Sequence, residues 1–216
     1  KVFAGESGNC SNEAGHEVAR VIVTDKIPMS KVKLTGFKGS LPYAQGKAVF
    51  QNTALTYKDN GGTITLSEKN AANPDGDYTV KYENNYDLGI ATVTYEAAKD
   101  ESGKYTGRYS GKVIKSYKIT GKYALSESGD GKNCTVSLNA LSYPYANAAI
   151  KPEVKVTATI TNNNGIKETR TLVQGKDYTL SYKNNKAVAA ADAEKNGKDA
   201  APQVIIKGKG SYLFAD

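Results

Sequence analysis

The chain has 216 residues, with 29 Lys and Arg against 22 Asp and Glu, for a net charge of +7. One His, two Cys and no Trp exclude a site needing two histidines, a self-contained zinc cluster and a disulfide-stapled miniprotein. No apolar run approaches the roughly 18 residues of a membrane span, and 39% hydrophobic with 24% charged residues fit a folded chain of one large or two small domains.

In chain order, Lys1-Val2-Phe3-Ala4-Gly5-Glu6 is not a signal peptide. A secreted protein is therefore expected here in mature or excised form. Asp59-Asn60-Gly61-Gly62 and Asn162-Asn163-Asn164-Gly165 predict hairpin turns, where Asn and Gly accept positive φ. Tyr78-Thr79-Val80-Lys81-Tyr82 and Ala91-Thr92-Val93-Thr94-Tyr95 alternate with the period of a half-buried strand. So do Val154-Lys155-Val156-Thr157-Ala158 and Tyr178-Thr179-Leu180-Ser181-Tyr182. Tyr78 and Tyr178, with Val80 and Leu180, are expected to point inward. Residues 187–198, rich in Ala, Lys, Asp and Glu, read as a loop insertion or a short helical turn.

The strands recur. Leu41-Pro42-Tyr43 is echoed by Tyr143-Pro144-Tyr145 at an offset of 102. The segment from Gly76-Asp77-Tyr78 to Asn84-Asn85 is echoed from Lys176-Asp177-Tyr178 to Asn184-Asn185 at an offset of 100. Gly103-Lys104-Tyr105 is aligned with Gly210-Ser211-Tyr212 at an offset of 107. The order is preserved while the loops change length, which is how a duplicated module reads. The first module closes on a strand around Lys118-Ile119; the second stops at Asp216, where that strand should begin. Val18 to Ile27 matches it at an offset of 92, and Lys1-Val2-Phe3-Ala4 falls on Val93-Thr94-Tyr95-Glu96. The expected organisation is terminal strands of a preceding or strand-exchanged module over 1–27, a complete module over 28–120, and a module lacking its last strand over 121–216. Val18, Val21, Val23 and Ile27 form the expected strand-completion segment.

The positive charge invites a nucleic-acid reading, which the arrangement argues against. The lysines are dispersed, no block of five or six like charges occurs, and only Arg20, Arg108 and Arg170 offer a planar fork. Dispersed Lys suits solvated strands and blunted sheet edges. Loose attraction to a polyanionic surface fits better than base readout.

Convergent chemistry is scarce. His16 stands alone between Gly15 and Glu17, and no nucleophile elbow, phosphate loop or zinc-binding helix motif appears. Asp75-Gly76-Asp77 and Asp59-Asn60-Gly61 could hold a hard cation weakly, but Asp, Asn and Gly ordinarily make turns. The 15 Tyr could stack on sugars, yet most sit in strand register. The sequence predicts no catalytic residue, no metal and no cofactor.

Gln174-Gly175-Lys176-Asp177-Tyr178-Thr179-Leu180-Ser181-Tyr182-Lys183-Asn184-Asn185 and Ile206-Lys207-Gly208-Lys209-Gly210-Ser211-Tyr212 resemble the Ig-like repeat modules of large cell-surface proteins of Gram-positive, clostridia-like bacteria. Tyr105-Thr106-Gly107 resembles them in the first module. The resemblance covers most of the chain and is specific in the middle and late strands. It implies an all-β fold of tandem Ig-like sandwich modules with antiparallel sheets, and an extracellular address at the bacterial surface or secreted. Short alternating strands between frequent turns imply the same fold class. Such modules sometimes carry a Lys–Asn isopeptide bond; no pair is singled out here.

Seven strands are expected per module, the Asp-Tyr-Thr strand fifth. In that frame Cys10 and Cys134 occupy one pole of their modules, and the aligned positions in the first module lie near Ser102 and Val32. They are candidates for orphaned halves of within-module disulfides, for a bridge between chains, or for thiols that never meet. Both lie in Asn-x-Ser/Thr sequons, read here as coincidence.

The expected function is a non-enzymatic structural or adhesion segment, spacing a distal domain or assembling head to tail by strand complementation. Its partners would be other molecules of the same protein or neighbouring modules, with neither nucleic acid nor membrane insertion involved. The alternatives are a carbohydrate- or host-ligand-binding module and an accessory domain of a larger secreted enzyme.

Overall fold

The computed structural model describes residues 2–4, 21–23, 26–186 and 201–214. The expectation for 187–198 lies outside the described residues. The chain opens with β1 (Val2–Ala4), β2 (Val21–Val23), β3 (Ile27–Pro28), a 3-10 turn at Met29–Lys31, β4 (Lys33–Thr35) and β5 (Ser40–Pro42). It continues with β6 (Ala54–Asp59), β7 (Gly62–Thr65), β8 (Tyr78–Glu83), β9 (Gly89–Ala97), β10 (Tyr109–Ser110) and β11 (Lys112–Thr120). Next come β12 (Tyr123–Leu125), β13 (Cys134–Leu138) and β14 (Val154–Thr161). The last strands are β15 (Lys167–Thr171), β16 (Tyr178–Lys183), β17 (Gln203–Gly208) and β18 (Tyr212–Phe214). The described residues are thus all-β, with several antiparallel sheets and a sandwich-like character.

The sheets recur in kind. β4-β6-β7 and β13-β14-β15 are three-stranded antiparallel meanders, with Leu34 opposite Leu55 and Val136 opposite Val156. β8 and β9 belong to a four-stranded sheet ordered β5-β11-β9-β8, whereas β16 and β17 form a two-stranded antiparallel sheet. β4 and β5 pair with different sheets, and the chain changes direction between them at Gly36, whose φ of 85° suits glycine.

Three pairings depart from the expected antiparallel pattern. β3 runs parallel to β10, β5 to β11 and β12 to β18. Parallel neighbours require a long crossover, and here the intervening strands of the fold supply it. Short strands also divide the seven expected in the first module into nine, β3 to β11, among the described residues.

Two of these parallel pairs each hold a buried tyrosine. Ile27 pairs with Tyr109 as Tyr123 pairs with Tyr212. Tyr109 lies within Gly107-Arg108-Tyr109-Ser110-Gly111, four residues beyond the Tyr105 that the sequence aligns with Tyr212. Tyr109 and Tyr212 are both buried, while Tyr105 is only partly covered. Met29 and Leu125, two residues beyond Ile27 and Tyr123, are both fully buried.

By compactness the chain divides into two units. The first comprises Lys1–Phe37, Asn52–Lys81 and Val93–Lys115; the second comprises Lys38–Gln51, Tyr82–Thr92 and Ser116–Asp216. The first unit buries Met29, Val32, Leu55, Leu66, Tyr78, Val93, Tyr95 and Tyr109, with Tyr78 edge-on to Tyr95. Within the second, Tyr123, Leu125, Cys134, Val156, Ala158, Ile160, Leu172, Tyr178 and Tyr212 form one cluster. Alternation explains the choice of face. In β8 and β16 the Tyr and aliphatic positions are covered while Thr79, Lys81, Thr179 and Ser181 are exposed.

The predicted hairpin turns form. Asn60-Gly61 links β6 to β7, with the positive φ of 133° at the following Gly62. In the turn after β14, Asn162 Oδ1 accepts from the N–H groups of Asn164 and Ile166, at 3.0 and 3.1 Å. Gly165 takes a φ of 76° there.

Candidate functional site: signature residues and a buried polar cluster

The echoed polar residues have specific partners. Asp77 Oδ2 accepts from the Ser67 N–H at 2.8 Å, and Asp177 Oδ2 accepts from the Val173 N–H at 2.9 Å. Each aspartate ties the preceding loop to the start of the Tyr strand. The Asn-Asn pair that follows the strand divides its labour. Asn84 and Asn184 adopt left-handed φ of 57° and 56°, which Asn tolerates better than most residues. Asn85 then donates through Nδ2 to the Val49 carbonyl at 3.2 Å and accepts from the Val49 N–H at 2.8 Å. Asn185 does the same with Ile150, at 2.8 and 2.9 Å. The Tyr82 hydroxyl meets the Gln51 backbone at 3.2 Å, and the Tyr182 hydroxyl donates to the Pro152 carbonyl at 3.2 Å. The repeated signature is thus a set of fastenings between side chains and loop backbone, which satisfies groups that would otherwise be buried unpaired.

The second unit also holds a polar cluster with no echo. Asp87 follows β8, Tyr123 opens β12 and Arg170 lies near the end of β15. The Tyr123 hydroxyl donates to Asp87 Oδ1 in a short hydrogen bond. Arg170 donates through one terminal nitrogen to Asp87 Oδ2 at 3.1 Å and through Nε to Glu168 Oε1 at 2.6 Å. The Asp87 N–H donates to Asn163 Oδ1 at 3.2 Å, so the β14–β15 turn holds the same residue. Tyr43 stands edge-on to Tyr123 with centroids 5.3 Å apart, and Tyr212 lies 5.1 Å away on a tilt. Arg170 sits 6.0 Å from the Tyr123 ring centroid, within cation–π reach.

The electrostatics mark this cluster as fixed. Burial, reinforced by the bond to the Asp87 carboxylate, pushes the Tyr123 hydroxyl well above the ordinary phenol range. Burial opposes the charge on Arg170, but hydrogen bonds to Glu168, Asp87 and Tyr123 more than restore it. The Asn162 amide, then Arg170, holds the Glu168 carboxyl below its usual range. A phenol so hard to ionise is a poor acid and stays protonated, and the guanidinium is committed to two carboxylates. The cluster is built to hold segments together.

Two of the acids singled out in the sequence are occupied similarly: Asp59 pairs with Arg108, and Asp77 holds Ser67. Among the described residues, no group of three His, Cys, Asp or Glu side chains is placed to hold a metal ion. No helix among them is long and apolar enough to cross a membrane.

The strand-completion segment is placed in part. Val21 and Val23 lie in β2, opposite Ala4 and Val2 of β1. Ile27 belongs to the separate strand β3 and hydrogen-bonds through its N–H to the Arg108 carbonyl at 3.0 Å. Val18, Cys10 and His16 lie outside the described residues. Cys134 is buried at the head of β13 and has no disulfide among the described residues. Burial, then nearby Glu127, raises its thiol pKa.

Asp87, Tyr123 and Arg170 were not legible as a site in the sequence. At the offset of 100, Asp87 falls on Ala187, so a search for what recurs passes over it. The one available signal was Arg170 itself, one of three arginines in a lysine-rich chain. Comparison with known proteins finds no matching family, no matching curated protein and no matching solved structure.

Proposed function

We propose that this chain is a non-enzymatic structural segment of a bacterial cell-surface protein, made of tandem Ig-like sandwich modules that space or display a distal part. The observation carrying this reading is the fate of the echoed signature. Asp77 and Asp177, Asn85 and Asn185, and Tyr82 and Tyr182 all engage the protein's own backbone. What the sequence repeats is fold maintenance, as a spacer requires and a ligand-reading surface does not. The unechoed Asp87–Tyr123–Arg170 cluster adds a fastening within the second unit that resists loosening under load.

Single-molecule pulling tests the reading. Two unfolding events are expected, each releasing about 300 Å of chain for a module of about 90 residues. The companion experiment presents the chain to a glycan array and to purified cell wall, where no saturable binding is expected. A single unfolding event, or a saturable glycan signal abolished by Tyr145→Ala, would overturn it in favour of another architecture or a binding module.

A further inference from the structure

Two Asn-Gly steps lie in hairpin turns of the described residues, Asn60-Gly61 between β6 and β7 and Asn164-Gly165 between β14 and β15. Asn followed by Gly is a chemically reactive pair. The glycine nitrogen, once it has lost its proton, attacks the side-chain amide carbon of the asparagine, and glycine has no Cβ to obstruct the approach. The two steps share their residues but not their surroundings.

At Asn164-Gly165 the nitrogen is engaged. The Gly165 N–H donates to the Asn162 carbonyl at 2.9 Å, and the Asn164 N–H donates to Asn162 Oδ1 at 3.0 Å. The Tyr86 ring packs against the same glycine, with Cζ 3.2 Å from the place a Cβ would take. Asn162 and Tyr86 together hold the peptide that would have to turn for the attack.

At Asn60-Gly61 the nitrogen is accessible. Both residues are exposed, and beyond the chain neighbours no heavy atom lies within 4 Å of the place a Gly61 Cβ would take. Among the described residues the Gly61 N–H donates to no backbone carbonyl. The turn is held one residue earlier. The Asn60 N–H donates to Asp59 Oδ1 at 2.8 Å, and Asp59 Oδ2 pairs with Arg108.

We propose that Asn60 is a site of spontaneous self-modification. The Gly61 nitrogen gives its proton to hydroxide and forms a bond to Asn60 Cγ. The Cγ–Nδ2 bond breaks, and Nδ2 leaves as ammonia after taking a proton from water. The resulting succinimide ring is opened by one water at either carbonyl. One opening gives aspartate; the other gives isoaspartate, in which the main chain runs through the side-chain carbon. Either product places a new carboxylate beside the Asp59–Arg108 pair. Isoaspartate also lengthens the main chain within a two-residue loop, where Asp59 and Gly62 face each other at the end of the ladder. The β6–β7 hairpin therefore loosens as the molecule ages, whether or not the chain is a spacer.

Incubation of the 216-residue chain at mildly alkaline pH, with timed samples digested and mapped by mass spectrometry, tests it. Asn60 should convert at a rate that rises with hydroxide concentration, with isoaspartate exceeding aspartate. It should outpace Asn164 by about tenfold, the factor set by the hydrogen bonds that must first break there. In urea the two sites should convert at equal rates, because only the folded chain sets them apart. Gly61 lies outside the left-handed region, so Gly61→Ala fits the turn and should slow Asn60 while leaving Asn164 unchanged. The third such step, Asn196-Gly197, lies outside the described residues and is scored on its own peptide. A native chain in which Asn60 converts no faster than Asn164, or converts only in urea, would overturn the proposal.

Discussion

The hydroxyl of Tyr123 donates to the carboxylate of Asp87, and Arg170 holds the other oxygen of that carboxylate at 3.1 Å. Removing the carboxylate leaves a charged and a phenolic group without their shared acceptor. Asp87→Ala should therefore cost about 2–3 kcal/mol in urea unfolding, with a lowered midpoint and unchanged slope. In a double-mutant cycle with Arg170→Met, a coupling of about 1–3 kcal/mol is expected. Arg108→Ala is the control. Its pair with Asp59 is solvent-exposed, and its loss should cost less than about 1 kcal/mol. Equal effects at the two pairs would show that burial is not what distinguishes them.

Six tyrosines share a pH signature. Burial raises the hydroxyl pKa of Tyr43, Tyr78, Tyr109, Tyr123, Tyr178 and Tyr212. A folded-state pKa above the unfolded value gives stability that is complete below the unfolded pKa and is lost as pH rises through the folded one. Stability should hold to about pH 10, the ordinary phenol value, and fall above it. Titration followed at the phenolate absorbance band should show a group of Tyr ionising only together with the loss of β-sheet signal. Smooth ionisation of all the tyrosines with the sheet intact would contradict the burial pattern.

Cys134 is buried and its thiol pKa is raised by that burial. The thiolate is the reactive form, so labelling at neutral pH should be slow in the native chain and fast in urea. In the sequence alignment Cys134 falls near Val32, which is also buried. Cys134→Val should accordingly cost less than about 1.5 kcal/mol. Rapid native labelling at Cys134, followed by peptide mapping, would show the head of β13 to be open.

Gly165 closes the β14–β15 turn with a φ of 76°, and a Cβ added there would stand 3.2 Å from Cζ of Tyr86. Gly165→Ala meets both a backbone preference and a ring. A loss of about 1–3 kcal/mol is expected. Tyr86→Ala in the Gly165→Ala background should recover the steric share and leave the backbone share, which a thermal melt of the four variants would read.

The inward faces of the strands were written in the sequence, because alternation is a local property. Tyr78 and Tyr178 lie where a period of two puts them. The echo of Asp-Tyr-Thr and Asn-Asn also marked the residues that fasten the loops, though not the groups they fasten to. Tertiary structure alone settled the rest. Ile27 pairs in parallel with Tyr109, and Tyr123 with Tyr212, across strands far apart in the chain that no local pattern joins. The Asp87–Tyr123–Arg170 cluster joins residues separated by 36 and 83 positions, and none of the three recurs. A repeat exposes what both copies need, whereas a contact made once between unlike residues becomes visible only when the folded backbone sets them side by side.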